Sequence, residues 1–270
     1  MANLVHQQHG SQFSRADLHH ILESTFVEQI ELHHAIESTN DRALELAHEP
    51  GLHTPLLVLA ETQTDGRGRG SNLWWAQPGA LTFSLMVEAD ALQLAPRQWP
   101  QASLTVGLAV CEAIEDLLDE PAIQLKWPND VYVRRRKVCG ILIELPPQQK
   151  QVIVIGIGIN VNNSARDAPG DLQSSAIALC DAAQREFALT DVLVRVLLRL
   201  HDRIDWIGHR DAELRTRYRE RCLLTGRTVH FDSGTRELVG LCRGIDDDGA
   251  LVIETVNQTE RCFAGVITRF

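Results

Sequence analysis

No Cys-x-x-Cys pair occurs among the six cysteines, which stand at 111, 139, 180, 222, 242 and 262. Their spacing suits neither a zinc site nor a redox motif. Most are expected to be small buried apolar residues in a reducing, cytoplasmic setting. There is no run of 18 apolar residues, so neither a membrane span nor a membrane partner is expected. The opening residues, MANLVHQQHGSQFS, lack the apolar core of a signal peptide. Internal repeats, low-complexity tracts and a serine–histidine–acid order are also missing. Gly66-x-Gly68-x-Gly70 is not followed by the Lys-Ser/Thr of a phosphate-binding loop, and Gly156-x-Gly158 lacks the third glycine of a dinucleotide loop. Positive charge is in the minority: 26 Lys and Arg face 36 Asp and Glu, for a net charge of −10 and a pI near 5.5. General affinity for nucleic acid is therefore disfavoured, and no DNA partner is expected. The pairs His19-His20 and His33-His34 place adjacent rings on different faces, so a shared metal ion is not expected.

What remains is an ordinary globular balance, 44% hydrophobic and 23% charged. The length accommodates one large domain and a small one. A polar segment, 1–30, contains one short helix from Ala16 to Gln29 and leaves no room for a helix-turn-helix domain. A larger domain, 31–223, follows. Ser38, with Asp41 three residues on, is expected to cap a helix running to His48. Apolar runs predict strands from Leu56 to Thr62, Leu81 to Val87, Ala122 to Trp127, Asp130 to Val133, Lys137 to Leu145 and Gln151 to Val161. Helices are expected over Ala102–Leu118, with Glu112 and Asp116 towards water, and over Asp191–Ile207 and Asp211–Leu223. Residues 165–175 read as an irregular linker. From 224 to 270 short β-rich runs separated by Asp-Ser-Gly and Asp-Gly turns predict a small barrel. The whole is an α/β chain of the α+β kind, with a mixed, largely antiparallel sheet and packed helices.

Glu61 to Trp75, ETQTDGRGRGSNLWW, is the most distinctive stretch. It is too long and polar for a simple hairpin turn. Its glycines permit close approach to a ligand, Arg67 and Arg69 offer planar forks for carboxylate or phosphate, and Trp74 offers a ring face. A solvated surface loop is the plain alternative. Lys126-Trp-Pro-Asn-Asp130 reads either as a turn with a capping acid or as the wall of a charged pocket. The Arg134–Arg136 turn is expected to be solvated. Strand alternation puts Lys137 and Cys139 on one face, Val138 and Gly140 on the other. The glycines at 156 and 158 mark close approach to a buried strand.

Taken together, Glu-x-Gln-x-x-Gly-Arg-Gly-Arg-Gly-Ser-Asn-x-Trp (61–74), Lys-Trp-Pro-Asn-Asp (126–130), Lys-x-x-Gly-Ile-Leu-Ile-Glu (137–144) and Gly-Ile-Gly-Ile-Asn-Val-Asn (156–162) resemble the ordered motif set of biotin protein ligases. The Ser38-Thr39-Asn40 helix start belongs to the same pattern. The resemblance covers about residues 32–270 and is to the monofunctional class, without the N-terminal DNA-binding domain of bifunctional members. Gly70, Ser71 and Asn72 stand where some members carry a longer arginine-rich loop.

The resemblance implies a core like that of class II aminoacyl-tRNA synthetases and a terminal barrel like a Src-homology-3 domain. It implies two reactions: biotin and ATP, with Mg2+, give biotinyl-5′-AMP and pyrophosphate, and biotin then passes to a lysine of a biotin carboxyl carrier domain. The catalytic residues implied are Lys137, Arg69, Lys126 and Asp130. Biotin would be held by Ser38, Thr39, Asn40, Gln63, Gly66, Arg67, Gly68, Arg69, Lys137 and Gly140. ATP would be held by Arg67, Arg69, Trp74, Lys126, Asn129, Gly158 and Asn160, with no resident metal site; a homodimer is compatible with this. The rival readings are a lipoate or octanoate ligase or transferase, and a non-catalytic biotin-binding or nucleic-acid-binding regulator.

Overall fold

The computed structural model describes residues 11–88, 99–118, 123–146, 152–204, 206–207 and 211–270. Residues 1–10 of the N-terminal segment, and Ala122 and Gln151 at the expected strand starts, lie outside the described residues. The chain runs α1 (Arg15–Ser24), β1 (Gln29–Ile36), α2 (Thr39–Leu46), β2 (Leu56–Gln63), β3 (Ala80–Glu88) and α3 (Trp99–Leu118). Three antiparallel neighbours follow, β4 (Ile123–Lys126), β5 (Asp130–Val133) and β6 (Arg136–Glu144), then β7 (Val152–Asn160). After a 3-10 turn come α4 (Leu172–Ser175), α5 (Leu179–Ala183), α6 (Leu189–Ile204) and α7 (Asp211–Arg221). The C-terminal strands are β8 (Thr228–Asp232), β9 (Glu237–Ile245), β10 (Leu251–Glu254), β11 (Thr259–Cys262) and β12 (Val266–Arg269).

The first seven strands form one sheet in the order β1-β2-β3-β7-β6-β5-β4, and the last five a second sheet in the order β11-β10-β9-β8-β12. Only the β1–β2 pair of the large sheet is parallel. The period of two along its strands sorts the core. Leu57 and Leu59, Phe83 and Leu85, and Ile153 and Ile155 join the main core on the face packed by α3, while Val58, Met86 and Val154 meet Ala43 and Leu46 of α2 on the other. At and past the start of α2, Thr82 and Ser84 take the place of large apolar residues on β3, and Gly156 and Gly158 do so on β7.

Several expectations change. The polar N-terminal segment packs onto the core through Phe13, Leu18 and Ile21, and its helix stops at Ser24. Gln12 and Ser11 donate hydrogen bonds to the buried Glu61 carboxylate. Glu112 does not face water: it is 7% exposed and receives Arg203 Nε at 3.0 Å and Nη2 at 2.9 Å. The reason is a second helical layer, since α6 lies along α3 and brings its arginines over that face. The supposed linker holds the turn at Ala165–Asp167 and α4, and the last β-rich run splits into two strands, β11 and β12.

At the sheet edge, Glu31 accepts from His33 Nε2 at 2.6 Å and Arg42 Nε at 2.7 Å. The His33 hydrogen bond, followed by Arg42, outweighs burial and holds the Glu31 carboxyl down at about 2. A lowered folded-state pKa contributes stability above the ordinary carboxylate value, which fades as pH falls towards the folded value. Glu31→Gln is therefore expected to lower the urea midpoint at pH 7. The gap from wild type should close between the ordinary value of 4.5 and about 2, as followed by circular dichroism.

Candidate active site

Strand register builds one row of small and polar residues across the face that carries α2. Thr82 pairs with Gly158, Gly158 with Gly140, Gly140 with Asp130, and Asp130 with Lys126. One row along, Ser84 pairs with Gly156 and Gly156 with Leu142. A cavity of about 340 Å³ lies on these rows.

Two side chains occupy the space that β7 leaves free. A Cβ at Gly156 would overlap the Asn40 amide, and one at Gly158 would overlap the Trp74 indole. Asn40, at the start of α2, donates to Glu144 Oε2 at 2.8 Å and accepts from Ser84 Oγ at 2.5 Å. Ser84 Oγ also lies 2.8 Å from Thr39 Oγ1, and Gln63 Oε1 accepts from Thr39 N at 2.7 Å. Ser38 caps α2 through Asp41 N at 3.4 Å. These bonds make Ser38, Thr39, Asn40 and Gln63 one buried polar wall of the cavity.

The opposite half is cationic. Lys137 Nζ lies 2.6 Å from Asp130 Oδ1 and 5.9 Å from the centre of the Trp74 ring. The simple alternation expected for β6 fails here. Val131 pairs with Cys139 but Tyr132 with Lys137, so Val138 is an extra, bulged residue. The bulge turns Lys137 and Gly140 to the same side, while Val138 and Cys139 enter the core. Lys126 Nζ donates to Ile267 O at 3.2 Å and sits 5.0 Å from the Phe270 ring centre. Burial lowers the Lys126 pKa, with Asp130 opposing that shift. Arg69 Nη2 donates to Gly265 O, and its guanidinium lies 5.9 Å from the Trp127 ring centre. Burial also lowers the Arg69 pKa, against the charge of Asp130.

The glycine-arginine stretch is not an open loop. Trp74 N donates to Gly66 O at 2.6 Å, Arg67 bridges to Leu73, and Gly68 N donates to Asn72 O at 2.7 Å. Gly70, at φ +67°, and the Asn72 amide bonded to Arg69 O close the turn, so the segment folds as a short hairpin despite its polarity. Arg67 reaches Glu144 Oε2 at 2.6 Å and Asp41 Oδ1 at 2.7 Å. Burial works against its charge, but Glu144 and then Asp41 raise its pKa.

Of the expected site residues, Ser38, Thr39, Asn40, Gln63, Arg67, Gly68, Arg69, Trp74, Lys126, Asn129, Asp130, Lys137, Gly140 and Gly158 all line the cavity. Gly66 and Asn160 do not. Gly66 is pressed against Trp74 O and Gln63, and Asn160 accepts from Asn163 Nδ2 at 3.0 Å. Sequence reasoning missed Leu172, Val266 and Ile267, which reach the cavity from α4 and β12. Val266 and Ile267 stand more than ninety residues from the other walls, with no local motif to mark them. No group of three or more metal-ligating side chains occurs among the described residues.

The arrangement joins a neutral, hydrogen-bonding wall to a set of cations across a glycine floor, as needed to hold a polar small molecule against a phosphate. The Biotin/lipoate A/B protein ligase family profile matches residues 32–160, and the Biotin protein ligase C terminal domain profile matches residues 225–267. The chain belongs to the biotin/lipoate A/B protein ligase family. Its similarity is to the biotin members in particular. It is 32% identical over 213 residues to the biotin–[acetyl-CoA-carboxylase] ligase of Mycobacterium tuberculosis, covering 78% of this chain and 77% of that protein. It is 31% identical to the bifunctional ligase/repressor BirA of Bacillus subtilis, of which the match spans 65%. The biotin protein ligase from Aquifex aeolicus in complex with biotin and ATP superimposes with a TM-score of 0.77 at 28% identity, covering 89% of this chain and 98% of that one.

The packing of Asn40 onto Gly156 gives a direct test. Gly156→Ala puts a methyl group where the buried amide sits, and is expected to destabilise the fold by about 2 kcal/mol. Urea unfolding of the variant measures this.

Proposed function

We propose that the chain is an ATP-dependent biotin protein ligase. It makes biotinyl-5′-AMP and then transfers biotin to a lysine of a biotin carboxyl carrier domain. The observation that carries this reading is the single cavity in which the Ser38-Thr39-Asn40-Gln63 wall meets Lys126, Lys137, Arg67 and Arg69 across Gly140 and Gly158. Biotin's ring is a polar urea that needs donors and acceptors together, and the wall has both. The alkyl acid of a lipoate or octanoate ligase would leave those buried groups unpaired.

In the first step a carboxylate oxygen of biotin attacks the α-phosphorus of ATP. The bond to the bridging oxygen breaks, and pyrophosphate leaves with Mg2+, which enters as part of the nucleotide substrate. Two unit charges brought to ~4 Å repel by about 4 kcal/mol at an effective dielectric of about 20. Lys137, held by Asp130 beside the glycine floor, offsets that repulsion and stabilises the charge of the pentavalent state. Asp130 thereby positions the lysine, and Lys126 and Arg69 meet the remaining phosphate charge. Trp74 on Gly158 frames the nucleotide with Asn129, whose amide is fixed by Ile141 O at 2.6 Å. Trp74 Nε1 and Thr82 Oγ1 are buried without partners among the described residues, so the floor retains hydrogen-bonding capacity for a ligand. The hairpin over the cavity keeps water from the mixed anhydride. In the second step the carrier's lysine amine attacks the acyl carbon, the acyl–oxygen bond breaks and AMP leaves with the electron pair.

On this reading residues 31–223 form the catalytic domain and 224–270 a barrel that closes one end of the cavity. The reaction takes place in the cytoplasm, where ATP is available. DNA is not a partner, in keeping with the net charge of −10, and a homodimer is compatible because the cavity needs no second copy.

Incubation with biotin, Mg-ATP and a carrier domain, followed by mass spectrometry of the carrier, tests the proposal. A biotin-sized gain that needs ATP and the acceptor lysine is expected; a gain with lipoate or octanoate alone would overturn it. Lys137→Ala should reduce biotin-dependent pyrophosphate release by about a hundredfold or more. Near-normal release would remove Lys137 from its assigned role. Gly158→Ala, which displaces Trp74, is expected to raise the KM for ATP more than that for biotin in the same assay.

A further inference from the structure

Arg67 and Arg69 are two residues apart but have opposite surroundings. Arg69 has a backbone carbonyl from the C-terminal domain, an aromatic ring and the charge of Asp130 nearby. Arg67 has two carboxylates: its Nη1 is 3.1 Å from Glu144 Oε1, its Nη2 is 2.6 Å from Glu144 Oε2, and the same Nη2 is 2.7 Å from Asp41 Oδ1. Glu144 is fixed in turn by Asn40 Nδ2 at 2.8 Å, and Asn40 is fixed by Ser84 and by Leu142 O. One continuous hydrogen-bonded chain therefore runs from Gln63 through Thr39, Ser84, Asn40 and Glu144 to Arg67. One guanidinium donor is left over: Arg67 Nε is buried without a partner among the described residues.

We propose that Asp41 and Glu144 are positioning residues that latch the glycine-arginine hairpin onto the biotin half of the cavity through Arg67, making that arginine a biotin-side clamp and not a phosphate ligand. This rests on the ligase reading above. The two carboxylates on the Nη atoms of Arg67 outnumber its charge and repel a triphosphate, whereas Lys137 is paired with a single carboxylate. The spare Nε of Arg67 can donate to one further acceptor. Ordering a glycine-rich segment costs about 1 kcal/mol or more per residue. A latch made by the protein itself reduces the part of that cost that binding of biotin has to supply. Asp41 lies in the first turn of α2, outside the motifs that mark this site in the sequence.

The test is a double-mutant cycle read by steady-state pyrophosphate release. Asp41→Asn keeps the helix-start backbone and removes one latch charge. It is expected to raise the KM for biotin by about fivefold with the KM for ATP unchanged. In an Arg67→Ala background the same substitution should add nothing. Glu144→Gln should behave likewise, and its circular dichroism and urea midpoint separate a local effect from misfolding. A rise in the KM for ATP instead would make Arg67 a phosphate ligand and overturn the proposal. So would an Asp41→Asn effect that persists without Arg67. Wild-type protein that releases no pyrophosphate with biotin would instead overturn the ligase reading itself. Wild-type activity with an unaltered Asp41→Asn variant would overturn the latch alone.

Discussion

The site depends on two missing side chains. β7 runs through the middle of the large sheet with every residue buried, and at Gly156 and Gly158 it presents only backbone. Glycine in a strand interior weakens it through backbone entropy and lost packing. Here β3 and β6 hydrogen-bond the strand on both sides and offset that weakness. In return the start of α2 descends onto the sheet, where Asn40 fills the first gap, and the Trp74 indole lies in the second. A methyl group at either position would lift one wall of the cavity. The polar wall and the aromatic frame are therefore set by the same strand.

Charge is arranged by the same economy. The chain as a whole is acidic, yet four cations line one cavity. Each has a protein oxygen within reach: Glu144 and Asp41 for Arg67, Gly265 O for Arg69, Ile267 O for Lys126 and Asp130 for Lys137. The partners differ in kind, and that difference sorts the cations. A carbonyl dipole holds a cation without neutralising it. Burial lowers the pKa of both Arg69 and Lys126, against the charge of Asp130. Such groups are suited to receive a polyanion.

Most of the large sheet and its main helices were legible because buried strands and an amphipathic α3 repeat at their own periods. Most of the cavity lining was legible because its residues cluster in four short segments at strand ends and one helix start. The failures have a common cause, which is that local pattern does not report on register or on distant segments. One extra residue at Val138 inverts the side to which Lys137 points, and nothing in Arg-Lys-Val-Cys-Gly announces it. Glu112 reads as solvent-facing until α6 is placed beside α3. Phe13, Leu18 and Ile21 sit in a segment whose average composition is polar, and the average hid the three contacts that matter. Ile267 reaches Lys126 from 141 residues away, a contact that no spacing rule contains.

The hairpin shows how the two kinds of information meet. From sequence, Gly-Arg-Gly-Arg-Gly-Ser-Asn reads as a flexible anion loop with a shortened second half. In the fold, that second half has its own task. Gly70 takes the left-handed conformation, and the Asn72 amide bonds back to Arg69 O. Gly68 N and Trp74 N then find acceptors across the turn, which ties the two arms of this polar segment together. The residues standing where other members carry more arginine are thus turn residues. They place the remaining two arginines about one strand repeat apart on an ordered arm. With such an arm, Arg67 and Arg69 can be committed to different partners at opposite ends of one cavity. A flexible loop with interchangeable arginines could not make that separation.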